Sequence, residues 1–237
     1  APDCLESFNQ LKHDPLVRMV SLMDHAPGQR QFASLDAYKT YYQGKLKMSD
    51  AALDAFSTRR NTESQTHAGP FRRAIADACK NLGIVLASHD DATRDHVEEA
   101  EALGIDVAEF PTTLEAAKGS RQAGMAILMG GPNMVRGGSH SGNVSARALA
   151  EADLLDILSS DYIPFSMLQS AFSLAEAVEA ISLPKAVQLV TKRPAEAAGF
   201  DDRGEIAIGK RADLVHLRIE DGVPIVLTVY REGRRVI

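Results

Sequence analysis

Cysteine is scarce: the chain carries only Cys4 and Cys79, which have no metal-type spacing and are too few for a disulfide framework. A reduced, cytoplasmic setting is therefore expected. No apolar run approaches the roughly 20 residues that a bilayer-spanning helix needs, so no membrane partner is expected. Positive charge is in deficit, with 26 Lys and Arg against 32 Asp and Glu and a net charge of −6. Such a balance gives no general pull toward nucleic acid or anionic membrane, so an anionic ligand would have to be held by a local cluster of cations. The phosphate-cradling pattern Gly-x-x-x-x-Gly-Lys-Ser/Thr is missing, which excludes a P-loop. The sequence also has no internal repeat and no low-complexity segment. It opens on Ala1-Pro2-Asp3-Cys4, without an initiator methionine or a basic stretch ahead of an apolar one, so this start is not expected to be a signal peptide. It reads as the C-terminal portion of something longer.

What is present is ordinary for a globular protein: 237 residues, 45% apolar and 24% charged, enough for a domain and a half. Short apolar runs recur, and each stops at polar residues. Residues 16–23 lead into Asp24-His25-Ala26-Pro27-Gly28, and 83–87 into Ser88-His89-Asp90-Asp91. Residues 105–110 stop at Pro111, 126–129 at Gly130-Gly131-Pro132, and 154–158 at Ser159-Ser160-Asp161. Near-continuous short apolar runs are typical of strands buried on both faces, as in a parallel sheet.

Helical patterns lie between them. Residues 71–82, opened by Gly69-Pro70 and stopped by Gly83, carry Phe71, Ile75, Ala78 and Leu82 at helical spacing. Thr93 opens a helix that runs to Gly104, and Thr112-Thr113-Leu114-Glu115 resembles an N-cap. Strand–helix alternation of this kind predicts βα units with a parallel sheet. Later, 166–180 and 185–192 read as helices. From Gly204 onward four strands are expected, at 205–208, 212–217, 225–230 and 234–237, with turns at Gly209-Lys210, Asp221-Gly222 and Glu232-Gly233.

Three of the expected strands end in a residue able to bind metal or move a proton: His25, His89 and Asp161. In a parallel βα barrel the C-terminal strand ends form one rim, and active sites sit there. Neutral imidazoles bind divalent cations, and a nearby carboxylate can join them or take a proton from water. A lone histidine after an apolar run is more often an ordinary loop or core residue, and a strand-end Asp is often a turn residue. Three of them on one alternating pattern shift that balance. His13, His67, His96 and His216 share no such position and read as surface or packing residues. Glu98, Glu99 and Glu101 read as a solvated helix face.

The order of these strand ends, followed by Thr191-Lys192-Arg193-Pro194-Ala195 and by a β tail with Gly209-Lys210-Arg211-Ala212-Asp213-Leu214-Val215, resembles the amidohydrolase superfamily. Longer motifs are similar to a branch of that family acting in phosphonate catabolism. They are residues 22–31, Ser88-His89-Asp90-Asp91, Ala108-Glu109-Phe110-Pro111-Thr112-Thr113, and Gly137-Gly138-Ser139-His140-Ser141-Gly142-Asn143. The resemblance implies an α/β fold: strands 5–8 of a TIM-type (β/α)8 barrel over residues 1–203, and part of a small C-terminal β-sandwich over 204–237. It implies His25 and His89 as metal ligands and Asp161 as the carboxylate that serves the metal and takes the proton of the attacking water. One or two divalent ions, zinc or similar, would be the cofactor. The family's strand-one His-x-His pair is absent from this sequence, so the N-terminal remainder of the same protein is expected as a partner, with self-association left open.

The branch acts on a phosphorylated small molecule, releasing pyrophosphate. Arg30 follows the first histidine and is expected to reach such an anion; Arg59, Arg60 and Arg136 are further candidates, because guanidinium pairs bidentately with phosphate. The segment 130–143, with five glycines, lets backbone N–H groups approach an anion. Ser139 and His140 are expected to contact substrate there, with His140 able to protonate the leaving pyrophosphate. Two other readings stay open: an amidohydrolase cleaving a C–N bond, such as a deacetylase, cyclic amidase or deaminase, and a non-catalytic fragment or binding module.

Overall fold

The computed structural model describes residues 2–30, 35–139 and 142–237, which fall into two compact units. In the first unit, β1 (Met19–Leu22), β2 (Val85–His89) and β3 (Val107–Glu109) pair in parallel, Met19 opposite Val85 and His89 opposite Glu109. Four of the five β2 residues are buried, which is why the run alternates so little. The helices of this unit are α1 (Cys4–Leu11), α2 (Leu35–Leu46), α3 (Asp50–Leu82), α4 (Arg94–Leu103) and α5 (Leu114–Gln122).

The helix ends follow their local chemistry. Thr93 and Thr113 are extended N-caps whose hydroxyls accept from the amides of His96 at 3.4 Å and Ala116 at 3.0 Å, satisfying donors that a helix start leaves unpaired. Gly83 and Gly104 close α3 and α4 in the left-handed conformation, where a side chain would be strained.

The helix expected at 71–82 is longer than its pattern suggested. It starts at Asp50, capped by Ser49, and runs 33 residues through Pro70. A proline inside a helix removes one backbone donor and crowds the preceding turn. Here those losses do not stop a helix that buries Leu53 in its first turn and Ile75, Ala76 and Cys79 near its end.

In the second unit β4 (Ala126–Gly130) and β5 (Ile157–Ser159) pair in parallel, Leu128 opposite Ile157. The unit also holds α6 (Gly131–Arg136), α7 (Ala146–Glu151), α8 (Ser166–Ala177), α9 (Leu183–Gln188) and α10 (Lys192–Ala197). Part of the glycine-rich segment is therefore helical: Pro132 sits in the first turn of α6, where its missing N–H costs nothing, and Gly137 ends the helix. A three-stranded antiparallel sheet follows, β6 (Leu214–Glu220), β7 (Val223–Arg231) and β8 (Arg234–Arg235). Its two tight turns place Asp221-Gly222 and Glu232-Gly233 entirely at positive φ, matching the twist of the flanking strands. Residues 205–208 do not form the expected strand. Glu205 is drawn to Lys192 at 2.7 Å, while Ile206 and Ile208 stand in solvent.

One device recurs in both units. Asp106, just before β3, receives the Leu86 amide at 3.0 Å, and Asp156, just before β5, receives the Ile127 amide at 2.8 Å. Each carboxylate satisfies a neighbouring strand's amide where the ladder begins, as a buried backbone donor requires.

Candidate metal centre

His89 is the last residue of β2, and His25 lies three residues beyond the end of β1, the strand paired beside it. Parallel register brings the two rings together, centroids 5.4 Å apart. Asp90 completes the group. Its Oδ2 lies 3.3 Å from His25 Nε2 and 3.6 Å from His89 Nε2. One ligand atom from each of the three residues falls within 4.8 Å of the others.

The donor set fits a divalent cation. Bonds of about 2.1 Å in a tetrahedral site put neighbouring ligand atoms about 3.4 Å apart, close to the two His–Asp distances. His25 Nε2 and Asp90 Oδ2 are also buried polar atoms with no hydrogen-bond partner, an arrangement that costs free energy unless something else engages them.

Asp90 reaches this place through strain. It holds φ at 59°, and Phe110, the residue after β3, holds φ at 56°. Left-handed backbone is tolerable for Asp and unusual for a bulky aromatic. Phe110 sets its ring edge-on against His89, with centroids 5.2 Å apart. The Asp90 amide donates to the Glu109 carbonyl at 3.0 Å, and the Thr112 amide to the Asp91 carbonyl at 2.8 Å, so the two strand-end loops are stitched together.

Glu109, at the end of β3, is a functional neighbour that strand-end reasoning overlooked. Its Oε2 lies 2.7 Å from His89 Nδ1 and accepts from Ser21 Oγ at 2.5 Å. Burial alone would raise its carboxyl, but the hydrogen bonds from His89 and Ser21 prevail and hold it below the ordinary carboxylate value. A carboxylate on Nδ1 fixes the ring and makes Nε2 the nitrogen that can act as ligand. Glu109 ends an apolar run just as His89 does, which is the signal that could have found it.

Arg30 lies among carboxylates: its side chain is only 6% exposed and donates to Asp91 and Glu99. Glu99, whose side chain is 40% exposed, also receives Arg72 Nη1 at 3.1 Å. Burial raises the Asp91 carboxyl above its usual value, against the smaller lowering effects of Ser88, Arg30 and His96. His96 accepts the Ala92 amide on Nδ1 at 3.1 Å, and burial holds its pKa down, in keeping with a packing role. Arg60, with Ser64, His67, Arg72 and Asp24, lines a pocket under α3.

The second unit holds the other expected residues. Asp161 lies two residues past β5, exposed and at φ 48°, with its carboxylate packed over Gly130 at the end of β4. Arg136 ends α6, bonding the Gly138 carbonyl at 3.2 Å and meeting the Tyr162 hydroxyl at 3.4 Å. Ser139 is half-buried in the segment that follows. His140 lies outside the described residues.

No described helix is long and apolar enough to cross a membrane. Among curated proteins, the chain is 51% identical over 233 residues to α-D-ribose 1-methylphosphonate 5-triphosphate diphosphatase of Escherichia coli (strain K12), an alignment that covers 98% of this chain and 62% of that protein. Among solved structures, it resembles an adenosine deaminase from Xanthomonas campestris with bound Zn, with TM-score 0.51 and 17% identity over 70% of this chain and 48% of that one. A guanine deaminase from C. acetobutylicum with bound guanine gives TM-score 0.53 and 11% identity, over 70% of this chain and 52% of that one. At such identities the likeness is one of fold alone: α/β, with parallel strands and helices that cover part of a TIM-type barrel. Residues 48–236 match the amidohydrolase family. The chain belongs to the amidohydrolase family.

Proposed function

We propose that this protein is a cytoplasmic, metal-dependent hydrolase that cleaves a phosphoric anhydride in a phosphorylated small molecule, as the name of its E. coli relative describes for that enzyme. The chain spans 62% of that relative's length, so the activity is proposed for the intact protein. The observation that carries the reading is the convergence of His25, His89 and Asp90 at the ends of two adjacent parallel strands.

His25, His89 and Asp90 would hold one or two divalent ions, zinc or similar, with Asp161 serving the same centre. A cation bound there would polarise a phosphoryl oxygen and lower the pKa of water beside it. The rest falls to side chains. Glu109 holds His89 with Nε2 forward. Asp161 takes a proton from the attacking water. The new P–O bond forms at the phosphorus nearest the ribose, the anhydride bond to the next phosphorus breaks, and pyrophosphate departs with the electron pair. His140 supplies the proton to that leaving group. Arg136 and Ser139 orient the phosphates, and Arg60 in the pocket under α3 is a further candidate, since guanidinium matches phosphate oxygens bidentately. Residues 1–203 are assigned to the barrel part and 204–237 to the β-sandwich part.

The test is direct. The intact protein, loaded with metal, is given ribose 1-methylphosphonate 5-triphosphate, and pyrophosphate is measured against release of amine or ammonia from N-acyl and cyclic amide substrates. Pyrophosphate release that chelator abolishes is expected. Amine or ammonia without pyrophosphate would overturn the phosphate reading in favour of C–N hydrolysis.

A further inference from the structure

Five charged side chains form a chain across the first unit, from the His25 loop to the Asp90 loop. Asp24 Oδ2 lies 3.6 Å from Arg72 Nη2, and Arg72 Nη1 lies 3.1 Å from Glu99 Oε1. Glu99 receives Arg30, and Arg30 also donates to Asp91. Asp24 immediately precedes His25, and Asp91 immediately follows Asp90. The side chains at the two ends are 10% and 1% exposed. Asp24 is anchored further by Ser64 Oγ, which donates to Oδ2 at 2.5 Å, and by the Ala26 amide at 3.1 Å.

We infer that Arg72, Glu99 and Arg30 form a brace that fixes the separation of the His25 and Asp90 loops, making Glu99 a positioning residue for the metal centre. The inference rests on the metal-centre reading above. Glu99 is the only carboxylate of the five that lies outside the two loops, and both arginines meet on it. It belongs to α4, whose ends are fixed by Thr93 and Gly104, so the loops are referred to a rigid element. Arg30 and Arg72 are 6% and 16% exposed and Glu99 is 40% exposed, and guanidinium–carboxylate forks hold geometry as well as charge.

The test is binding of Zn²⁺ itself, by calorimetry, to metal-stripped intact protein. Glu99→Gln keeps the shape and removes the charge on which both arginines meet. It should weaken zinc binding about tenfold or more, the scale on which ligand-supporting partners act, and speed amide exchange at residues 24–26 and 89–91. Glu98→Gln, its exposed neighbour paired with Arg94, should bind zinc like the parent. Arg72→Lys, a point charge that cannot fork between Asp24 and Glu99, gives the same reading should Glu99→Gln fail to fold. Parental zinc affinity and exchange in both Glu99→Gln and Arg72→Lys, alongside loss of binding in His89→Ala, would overturn the brace alone. Parental affinity in His89→Ala would overturn the metal centre and the brace together.

Discussion

Glu109 Oε2 sits 2.7 Å from Nδ1 of His89, twenty residues away in sequence and directly opposite it in the parallel register of β2 and β3. The strand pairing itself therefore supplies the carboxylate that orients the histidine. His89 is held from two sides, by this bond and by the Phe110 ring edge, so its Nε2 faces the same point as His25 and Asp90.

Glu109→Gln tests what that bond does for metal. The amide fills the same space and can still accept from Nδ1, but the ring loses its charged acceptor and becomes a poorer ligand. Metal affinity should fall about 10- to 100-fold with the fold intact, read by calorimetric titration of stripped protein.

The same carboxylate makes a pH prediction. His89 and Ser21 hold Glu109 below its ordinary value of 4.5 against the opposing effect of burial. A depressed carboxylate contributes stability that is fully present above its unfolded value and is lost as pH falls through its folded one. In urea melts of metal-stripped protein, the gap between parent and Glu109→Gln should therefore be widest near neutral pH and narrow below about pH 4.5. A gap that widens on acidification would contradict the assignment.

Metal should also be worth stability. A cation that binds the folded state alone adds about 2.7 kcal/mol at a concentration a hundred times its dissociation constant. Melting temperature should rise with added zinc in the parent and stay flat in His25→Ala and His89→Ala.

Much of this was legible in the sequence because it is local. Thr93, Gly104 and Thr113 announce the ends of α4 and the start of α5 by cap chemistry alone, and Asp221-Gly222 announces a tight turn. His25 and His89 stand out because each follows an apolar run. What stayed hidden depends on contacts far apart in the chain. Glu99 sits between Glu98 and Glu101 in a pattern indistinguishable from a solvated face, and only its contacts with Arg30 and Arg72, 69 and 27 positions earlier, reveal it. Asp90 reads as a loop residue until its backbone turns left-handed and brings its carboxylate toward the two imidazoles. Residues 205–208 failed in the opposite sense: Ile206 and Ile208 alternate like a strand, yet the lysine pairings of Glu205 govern the segment.

Gly130 offers the sharpest test of Asp161. A Cβ at position 130 would lie 2.9 Å from Asp161 Oδ2, closer than real contacts allow, and 3.2 Å from its Cβ, tighter than most, so the Asp161 side chain would have to shift. Asp161 is exposed, and the backbone of Gly130 is extended at φ −77°, a conformation any residue adopts. Gly130→Ala should therefore cost no more than about 1–3 kcal/mol, the usual range for overpacking, and retain zinc binding at His25 and His89. Turnover should fall severalfold with little change in KM, because the group proposed to take the proton has moved while the groups proposed to hold phosphate have not. Gly131→Ala is the contrast: its Cβ would meet the Ser159 carbonyl at 3.1 Å and the Ser166 carbonyl at 3.2 Å, both backbone atoms that cannot swing. It should lower the melting temperature more than Gly130→Ala does. Unchanged turnover in a folded Gly130→Ala protein would remove Asp161 from the proton-transfer role.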